Sequence, residues 1–329
     1  MTTILITGAA GLFGHHCLEH VLKNTDWDVV GLVRLARIGT SRRINEVMDG
    51  HQEWDSRVRF VWHDLRSPVN GYTAEQIGEV DYVIHAAAST HVDESIKRPS
   101  DFVMDNVVGT ANLLDWARTL RGLRRLQYFS TDEVTGPAPA GVHFDEHAEL
   151  NPTNPYSASK AGAEALTMAY GNTYGMPVFV TRTMNLIGER ASKEKFLPLV
   201  MNKVLAGEEL LIHSDPTGTQ PGTRHYLHCR NAAAASLFLL HQAEQRQIYN
   251  VVGKEIDNLS FARRIADIMG KPLHYRLVDF HSSRPGHDLA YALDDTKIRK
   301  MGFEYPVGFE ESLERTVRWT LARPYWLNL

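Results

Sequence analysis

The sequence is poor in the features that would place it in several large classes of protein. Its 329 residues include two cysteines, Cys17 and Cys229, too few for a disulfide framework, so a reducing compartment is expected. No apolar run approaches the roughly 20 residues that span a bilayer. A basic, apolar, cleavable leader is also missing, because Thr3 to Thr7 already reads as a strand. The net charge of −4 argues against nucleic acid or an anionic membrane as the main partner. Sixteen histidines form neither a His-Glu-x-x-His motif nor a Cys/His cluster of zinc spacing, so no metal site is expected. Internal repeats, low-complexity tracts and long linkers are missing too. The expectation is a cytoplasmic soluble protein.

What is present is an ordinary globular composition and a length that suits one large or two unequal domains. The first strand runs directly into Gly8-Ala9-Ala10-Gly11-Leu12-Phe13-Gly14 and then a helical run to about Asn24. Strand, glycine turn and helix in that order aim helix N–H groups at a dinucleotide pyrophosphate. Gly8, Gly11, Leu12, Phe13 and Gly14 are therefore candidate cofactor contacts. A second strand, Asp28 to Val33, ends at Arg34, where many NAD-binding folds place an acid for the ribose 2′-OH. With Arg37, Arg42 and Arg43 close behind, Arg34 leans the cofactor, NAD(P)+, toward NADP+. A third strand, Val58 to Trp62, leads to Asp64 and Leu65, a pair for the adenine end. The fourth, Asp81 to His85, runs into Ala86, Ala87 and Ala88, small enough for the backbone to lie against a flat ligand.

The acid–base chemistry gathers between Arg125 and Lys160. A strand from about Gln127 to Ser130 ends in Thr131, Asp132 and Glu133, and ligands bind beyond the carboxyl ends of parallel strands. Tyr156 and Lys160 stand at helical i,i+4 spacing and leave one face of a helix opening near Pro155. A neighbouring ammonium moves a phenol toward use as a general base, and adjacent carboxyls can divide acid and base roles.

Further helices are expected at 101–120, 156–174, 230–243, 260–269 and 309–322, with a sixth strand from Val178 to Arg182. Alternating strands and helices mean α/β architecture: a Rossmann-type, doubly wound parallel sheet with a smaller C-terminal α/β substrate lobe. The dinucleotide-binding domain is assigned to 1–184 and the nucleotide-sugar lobe to 185–329, with chain segments free to cross between them.

On these motifs the chain resembles the extended short-chain dehydrogenase/reductases, and among them the nucleotide-sugar 4,6-dehydratases. The resemblance is carried by the glycine loop, by Thr90-His91-Val92-Asp93-Glu94-Ser95-Ile96 with Asn106-Val107-Val108-Gly109-Thr110, by Thr131-Asp132-Glu133-Val134 with Tyr156 and Lys160, and by Arg284-Pro285-Gly286-His287-Asp288. It implies a hydro-lyase that oxidises C4 of an NDP-hexose, dTDP-glucose foremost, eliminates water across C5 and C6, and returns the hydride to C6. In it Tyr156 is the C4 base, Lys160 its support and a ribose contact, Glu133 the C5 base, Asp132 the C6 acid, and Thr131 a substrate hydrogen bond. The resemblance also implies substrate contacts at Thr90, His91, Asn185, Lys195, Phe196, Arg224, Asn258, Arg284 and His287, and a homodimer built on the helices near 102–120 and 156–174. Thr135 stands where the family carries Tyr, and Leu186 where it often carries a second Asn. The loop from His213 to Arg224 is longer than usual. A 4-epimerase or decarboxylase of the same fold, a UDP- or GDP-sugar dehydratase, and a non-catalytic cofactor-binding scaffold are the alternatives.

Overall fold

The computed structural model describes residues 2–34, 40–139, 141–279 and 291–328. Seven strands form one parallel sheet: β1 (Thr3–Thr7), β2 (Asp28–Val33), β3 (Val58–Trp62), β4 (Tyr82–His85), β5 (Arg125–Thr131), β6 (Val178–Thr183) and, from far along the chain, β10 (Ile248–Val251). Their order is β3-β2-β1-β4-β5-β6-β10, so the strand order reverses between β1 and β4. That switch point opens a crevice at the carboxyl ends of the strands. The strands are short apolar runs because helices cover both faces. On one face Phe13, Leu18, Val21 and Leu22 of the Leu12–Asn24 helix pack with Ala232, Ala235 and Leu239 of the Cys229–Gln242 helix. On the other, Leu113, Leu114 and Trp116 cover Leu5, Val30, Val83 and Leu126.

Three further strands, β7 (Asn185–Ile187), β9 (Thr223–His228) and β11 (Lys254–Asp257), make a second sheet in the order β11-β9-β7. A parallel pair, β8 (Leu210–Ser214) with β12 (Tyr275–Asp279), completes the strands of the described residues. Leu197, Val200, Met201, Leu210, Phe261, Ile265 and Val317 form a separate apolar core there. After residue 185 the chain returns to the large sheet: β10 pairs with β6 in the register Tyr249↔Thr181, and the Cys229–Gln242 helix lies beneath it. The run expected to be helical at 101–120 is interrupted. It comprises Pro99–Phe102, a wide π turn at Val103–Val108, and Gly109–Ala117. Such turns mark functional positions more often than chance, and this one carries Asp105 and Asn106. Among the described residues no helix is long and apolar enough to cross a membrane.

The Pro155–Tyr174 helix is started by a reciprocal cap. Ser157 N donates to Asn154 Oδ1 at 2.9 Å, Asn154 N donates to Ser157 Oγ at 3.1 Å, and Pro155 occupies the first turn. Beneath the site this helix is bound to the sheet by a buried ion pair. Arg182 Nε and Nη2 lie 3.1 and 2.7 Å from Glu164 Oε1, while Ser130 Oγ donates to Glu164 Oε2 at 2.6 Å. Removing one partner strands a buried charge, at a cost of about 3–5 kcal/mol. Glu164→Ala is therefore expected to lower the unfolding free energy obtained from urea denaturation by an amount of that order, with Glu164→Gln falling between it and the wild type.

Candidate active site

The crevice is a cavity of about 810 Å³ running from the glycine loop to the second sheet. At its floor Gly8 has φ +68°, and a Cβ there would meet the Ala87 backbone at 2.9 Å. A Cβ on Gly14 would lie 2.1 Å from the Gly8 carbonyl oxygen, so the helix start can approach the strand this closely only with glycine. Gly8, Gly11, Leu12, Phe13 and Gly14 all line the cavity, as do Ala86, Ala87 and Ala88. The Phe13 ring stacks on Phe129 with centroids 3.7 Å apart, and Ala87 N donates to Thr7 Oγ1 at 3.1 Å. This cradle fits a dinucleotide: glycine brings the loop and the helix start close to the strand, with the loop backbone lining the cavity where a helix N-terminus favours a pyrophosphate.

At one end Arg34, Asp64 and Leu65 line the cavity, joined by two residues the sequence did not single out, Arg66 and Asp105. Arg34 Nη1 donates to Asp105 Oδ1 at 2.8 Å and to Asp64 Oδ1 at 3.2 Å, and Arg66 Nε donates to Asp105 Oδ1 at 2.6 Å. Burial acts to raise the Asp105 pKa, but hydrogen bonds from Arg66, Arg34 and Ser89 outweigh it and bring it to about 2. Arg43 is also in the wall, bonded through Nη1 to the Ala10 carbonyl at 3.3 Å. Arg42 instead lies over the Tyr325 ring, and Arg37 falls outside the described residues. Asn106 fixes the turn after β4: Ser89 N donates to its Oδ1 at 2.8 Å, and its Nδ2 donates to Ser159 Oγ at 2.8 Å.

Thr131, Asp132, Glu133, Tyr156 and Lys160 converge in the middle of the cavity. The Asp132 carboxyl is 3% exposed, and burial raises its pKa to about 6 despite the Thr131 hydroxyl, 3.0 Å from Oδ1, and the nearby charge of Arg224. Its Oδ2 has no hydrogen-bond partner among the described residues. Glu133 is half-buried and accepts from Asn154 Nδ2 at 3.1 Å, so the residue that caps the helix also aims the carboxylate. Burial, and then the negative charge of Glu133, push the Tyr156 phenol above its usual value, while a hydrogen bond from Thr131 opposes them. Lys160 lies on the same helix face but donates to the Phe129 carbonyl at 2.6 Å and sits 4.3 Å from the Tyr128 ring centroid. Burial lowers its pKa to about 7.

Toward the second sheet the wall contains Thr90, His91, Asn185, Leu186, Lys195 and Phe196. His91 Nε2 is 3.3 Å from Glu194 Oε1. Arg224 and Asn258 stand behind the wall. Arg224 lies over the Tyr291 ring at 5.2 Å, and Asn258 Oδ1 accepts from the Tyr226 hydroxyl at 2.6 Å. Tyr226 is the lining residue at that point, stacked 3.8 Å from the Phe261 ring. Sequence reasoning passed over Tyr226, although its place beside Arg224 in a strand was the available signal. Arg284 and His287 fall outside the described residues.

These features define an α/β protein with a dinucleotide cradle beside buried acid–base groups. The model of the NAD dependent epimerase/dehydratase family matches residues 4–252, and the chain belongs to that family. It is 35% identical to a trifunctional UDP-glucose 4,6-dehydratase/UDP-4-keto-6-deoxy-D-glucose 3,5-epimerase/UDP-4-keto-L-rhamnose-reductase of Arabidopsis thaliana, over 98% of this chain. The chain spans about half, 48%, of that protein's length. It is 33% identical to the dTDP-glucose 4,6-dehydratase of Salmonella typhimurium, covering 99% of this chain and 94% of the relative. The dTDP-glucose 4,6-dehydratase of Streptomyces venezuelae, solved with NAD bound, superposes with a TM-score of 0.88 at 33% identity, over 99% of this chain and 98% of its own.

The cradle is open to a direct check. Gly8→Ala and Gly14→Ala should each abolish saturable dinucleotide binding in a fluorescence titration while leaving a folded chain by circular dichroism.

Proposed function

We propose that this chain is a nucleotide-sugar 4,6-dehydratase, taking a dTDP- or UDP-hexose, glucose foremost, to its 4-keto-6-deoxy product. The observation that carries the reading is the Asp132 carboxyl, buried, with one oxygen unpartnered and a pKa of about 6, beside Glu133 and Tyr156 in a single cavity. An elimination needs an acid that still holds its proton near neutral pH and a separate base, and environments that differ this much separate the two roles. A 4-epimerase has no use for such a pair. A non-catalytic scaffold has no use for a raised carboxyl pKa.

In this mechanism Tyr156 accepts the proton from the sugar O4, and the Thr131 hydroxyl holds the sugar at that position. Gly8, Gly11, Gly14 and Ala86 to Ala88 would hold a nicotinamide dinucleotide, which when bound would supply the hydride chemistry, acceptance from C4 and return to C6. Once C4 is a ketone, the C5 proton is acidic; Glu133 removes it and gives a proton back to C5 when C6 is reduced. Asp132 protonates the C6 hydroxyl, which leaves as water. Lys160, its pKa brought down by burial, steadies the end of β5 through the Phe129 carbonyl and lines the cavity. Lys195 and the aromatic pair Phe196 and Tyr226 face the end of the cavity suited to a diphosphate and a flat pyrimidine, with Arg224 behind them.

For the cofactor we favour NAD over the NADP suggested by the arginines after β2. Asp105 and Asp64 already hold Arg34, and a 2′-phosphate would have to displace one of these carboxylates. A 2′-hydroxyl could instead donate to Asp64. The family's description and the NAD-bound neighbours support the same choice. A homodimer across the helices at 99–117 and 155–174 belongs to the same proposal, supported by exposed Val103 and Met104.

The experiment is incubation with dTDP-glucose, UDP-glucose and GDP-mannose separately, followed by mass spectrometry. Loss of one water from one of them is expected, and isomerisation without mass change would overturn the reading. Asp132→Asn and Glu133→Gln should each retain C4 oxidation, seen as transient reduced cofactor, and slow water loss by about 10²- to 10⁴-fold. Tyr156→Phe should abolish the oxidation itself.

The protonated form of Asp132 is the active one, so single-turnover elimination should slow as pH rises through a pKa near 6. Asp132→Asn should remove that dependence, as rapid-quench measurements across the pH range would record.

A further inference from the structure

A second polar cavity, of about 400 Å³, lies on the other side of β9. His225 on β9 and Glu255 on β11 stand directly opposite each other in the antiparallel register. Side chains alternate along a strand, so His225 turns away from its neighbours Arg224 and Tyr226, the latter of which lines the catalytic cavity. His143 reaches the same point from the loop after β5. Its position is set by two main-chain hydrogen bonds of the next residue, Phe144 N to the Ala292 carbonyl at 3.0 Å and Asp294 N to the Phe144 carbonyl at 2.9 Å.

The three side chains converge on one point at separations longer than hydrogen bonds. Nε2 of His143 is 3.6 Å from Glu255 Oε2, Nε2 of His225 is 3.8 Å from the same oxygen, and all three donor atoms lie within 4.8 Å of each other. Hydrogen bonds between such groups are about 2.7–3.0 Å long. Tetrahedral zinc bonds of about 2.0–2.1 Å instead place their donors about 3.3–3.5 Å apart. The second nitrogen of His225, Nδ1, lies 3.1 Å from the Tyr291 carbonyl. A proton on Nδ1 satisfies that carbonyl and leaves the Nε2 lone pair pointing at the cluster, which is how protein carbonyls orient metal-binding imidazoles. Asp294 and Asp295 add negative charge to the cavity, and Arg299 in its lining is held by Asp295 at 2.8 Å.

We propose that His143, His225 and Glu255 bind a divalent transition-metal ion, zinc by their ligand chemistry, with water in the fourth position. Two imidazoles and one carboxylate suit zinc and disfavour magnesium or calcium, which take oxygen ligands. The ion would join the loop after β5 to β9 and β11. Because Arg224 lies over the ring of Tyr291, whose carbonyl orients His225, it would also brace the strand that faces the substrate end of the cavity.

The test is isothermal titration of the full chain with zinc chloride after chelator dialysis, with cobalt(II) as the optical probe. One zinc per chain and the visible bands of tetrahedral cobalt(II) are expected. His143→Ala and Glu255→Gln change partly exposed side chains, so folding should survive; each should weaken zinc binding by about tenfold or more. Magnesium should not compete. Absence of saturable zinc binding would overturn the proposal. So would unchanged stoichiometry and affinity in the double variant, which would assign the ion to others of the sixteen histidines.

Discussion

The constraint on which the site depends is the burial of ionisable groups where β5 meets the Pro155–Tyr174 helix. Glu164 and Arg182 neutralise each other at 2% exposure, Ser130 joins them, and one turn toward the cavity Lys160 bonds the Phe129 carbonyl. Low dielectric makes each of these bonds strong and each unpaired group costly, so strand and helix have one good mutual register. That register brings Tyr156 to Thr131 and Asp132. The same burial raises Asp132 to about 6, so the force that fixes the geometry also sets the chemistry.

The parts legible in the sequence are those written locally. The glycine loop is a run of seven residues, Thr131 to Glu133 are adjacent, and Tyr156 and Lys160 are one helical turn apart. Their chemistry follows from type and spacing alone. The strand order was legible as a class for the same reason, since short apolar runs alternated with helical ones. What escaped depends on pairs far apart in the chain. Arg34 looked like a free cation because its partners, Asp64 and Asp105, lie 30 and 71 residues further on. Tyr226 lines the cavity, whereas Asn258, expected to contact substrate, serves to hold the Tyr226 hydroxyl. The return of β10 to the large sheet has no local signature, because its four residues read like any short strand. The π turn at 103–108 was invisible because helical spacing persists on both sides of it.

The two halves of the cavity are held together through the first helix. Glu189, just after β7, lies 3.2 Å from His228 Nε2, 3.0 Å from Arg230 and 3.8 Å from His16 Nε2. Burial works to raise its pKa, but His228, His16 and Arg230 outweigh that and hold the carboxyl far below the usual range. A Cβ on Gly188 would lie 2.8 Å from His16 Nε2, so the turn after β7 is pressed against the helix that begins at the glycine loop. His15 Nδ1 lies 2.7 Å from the Gly11 carbonyl in the same turn of that helix. Neighbouring histidines therefore connect the dinucleotide cradle to the strand carrying Asn185.

This arrangement bears on how the proposed three-stage reaction would be kept in one cavity. With hydride leaving C4 and returning to C6, the sugar would have to stay in place while its bonding changes, and a loose lobe would release the unsaturated ketone between stages. A surface ion pair would not prevent that, because such pairs contribute little. Glu189 is shielded from water, as are His16 and His228, and separating the lobe from the first helix would break the buried contacts of His16 with Glu189. The cavity is held shut from behind by electrostatics, and its mouth, toward Thr90, Lys193 and Asn328, is left as the side through which substrate can pass.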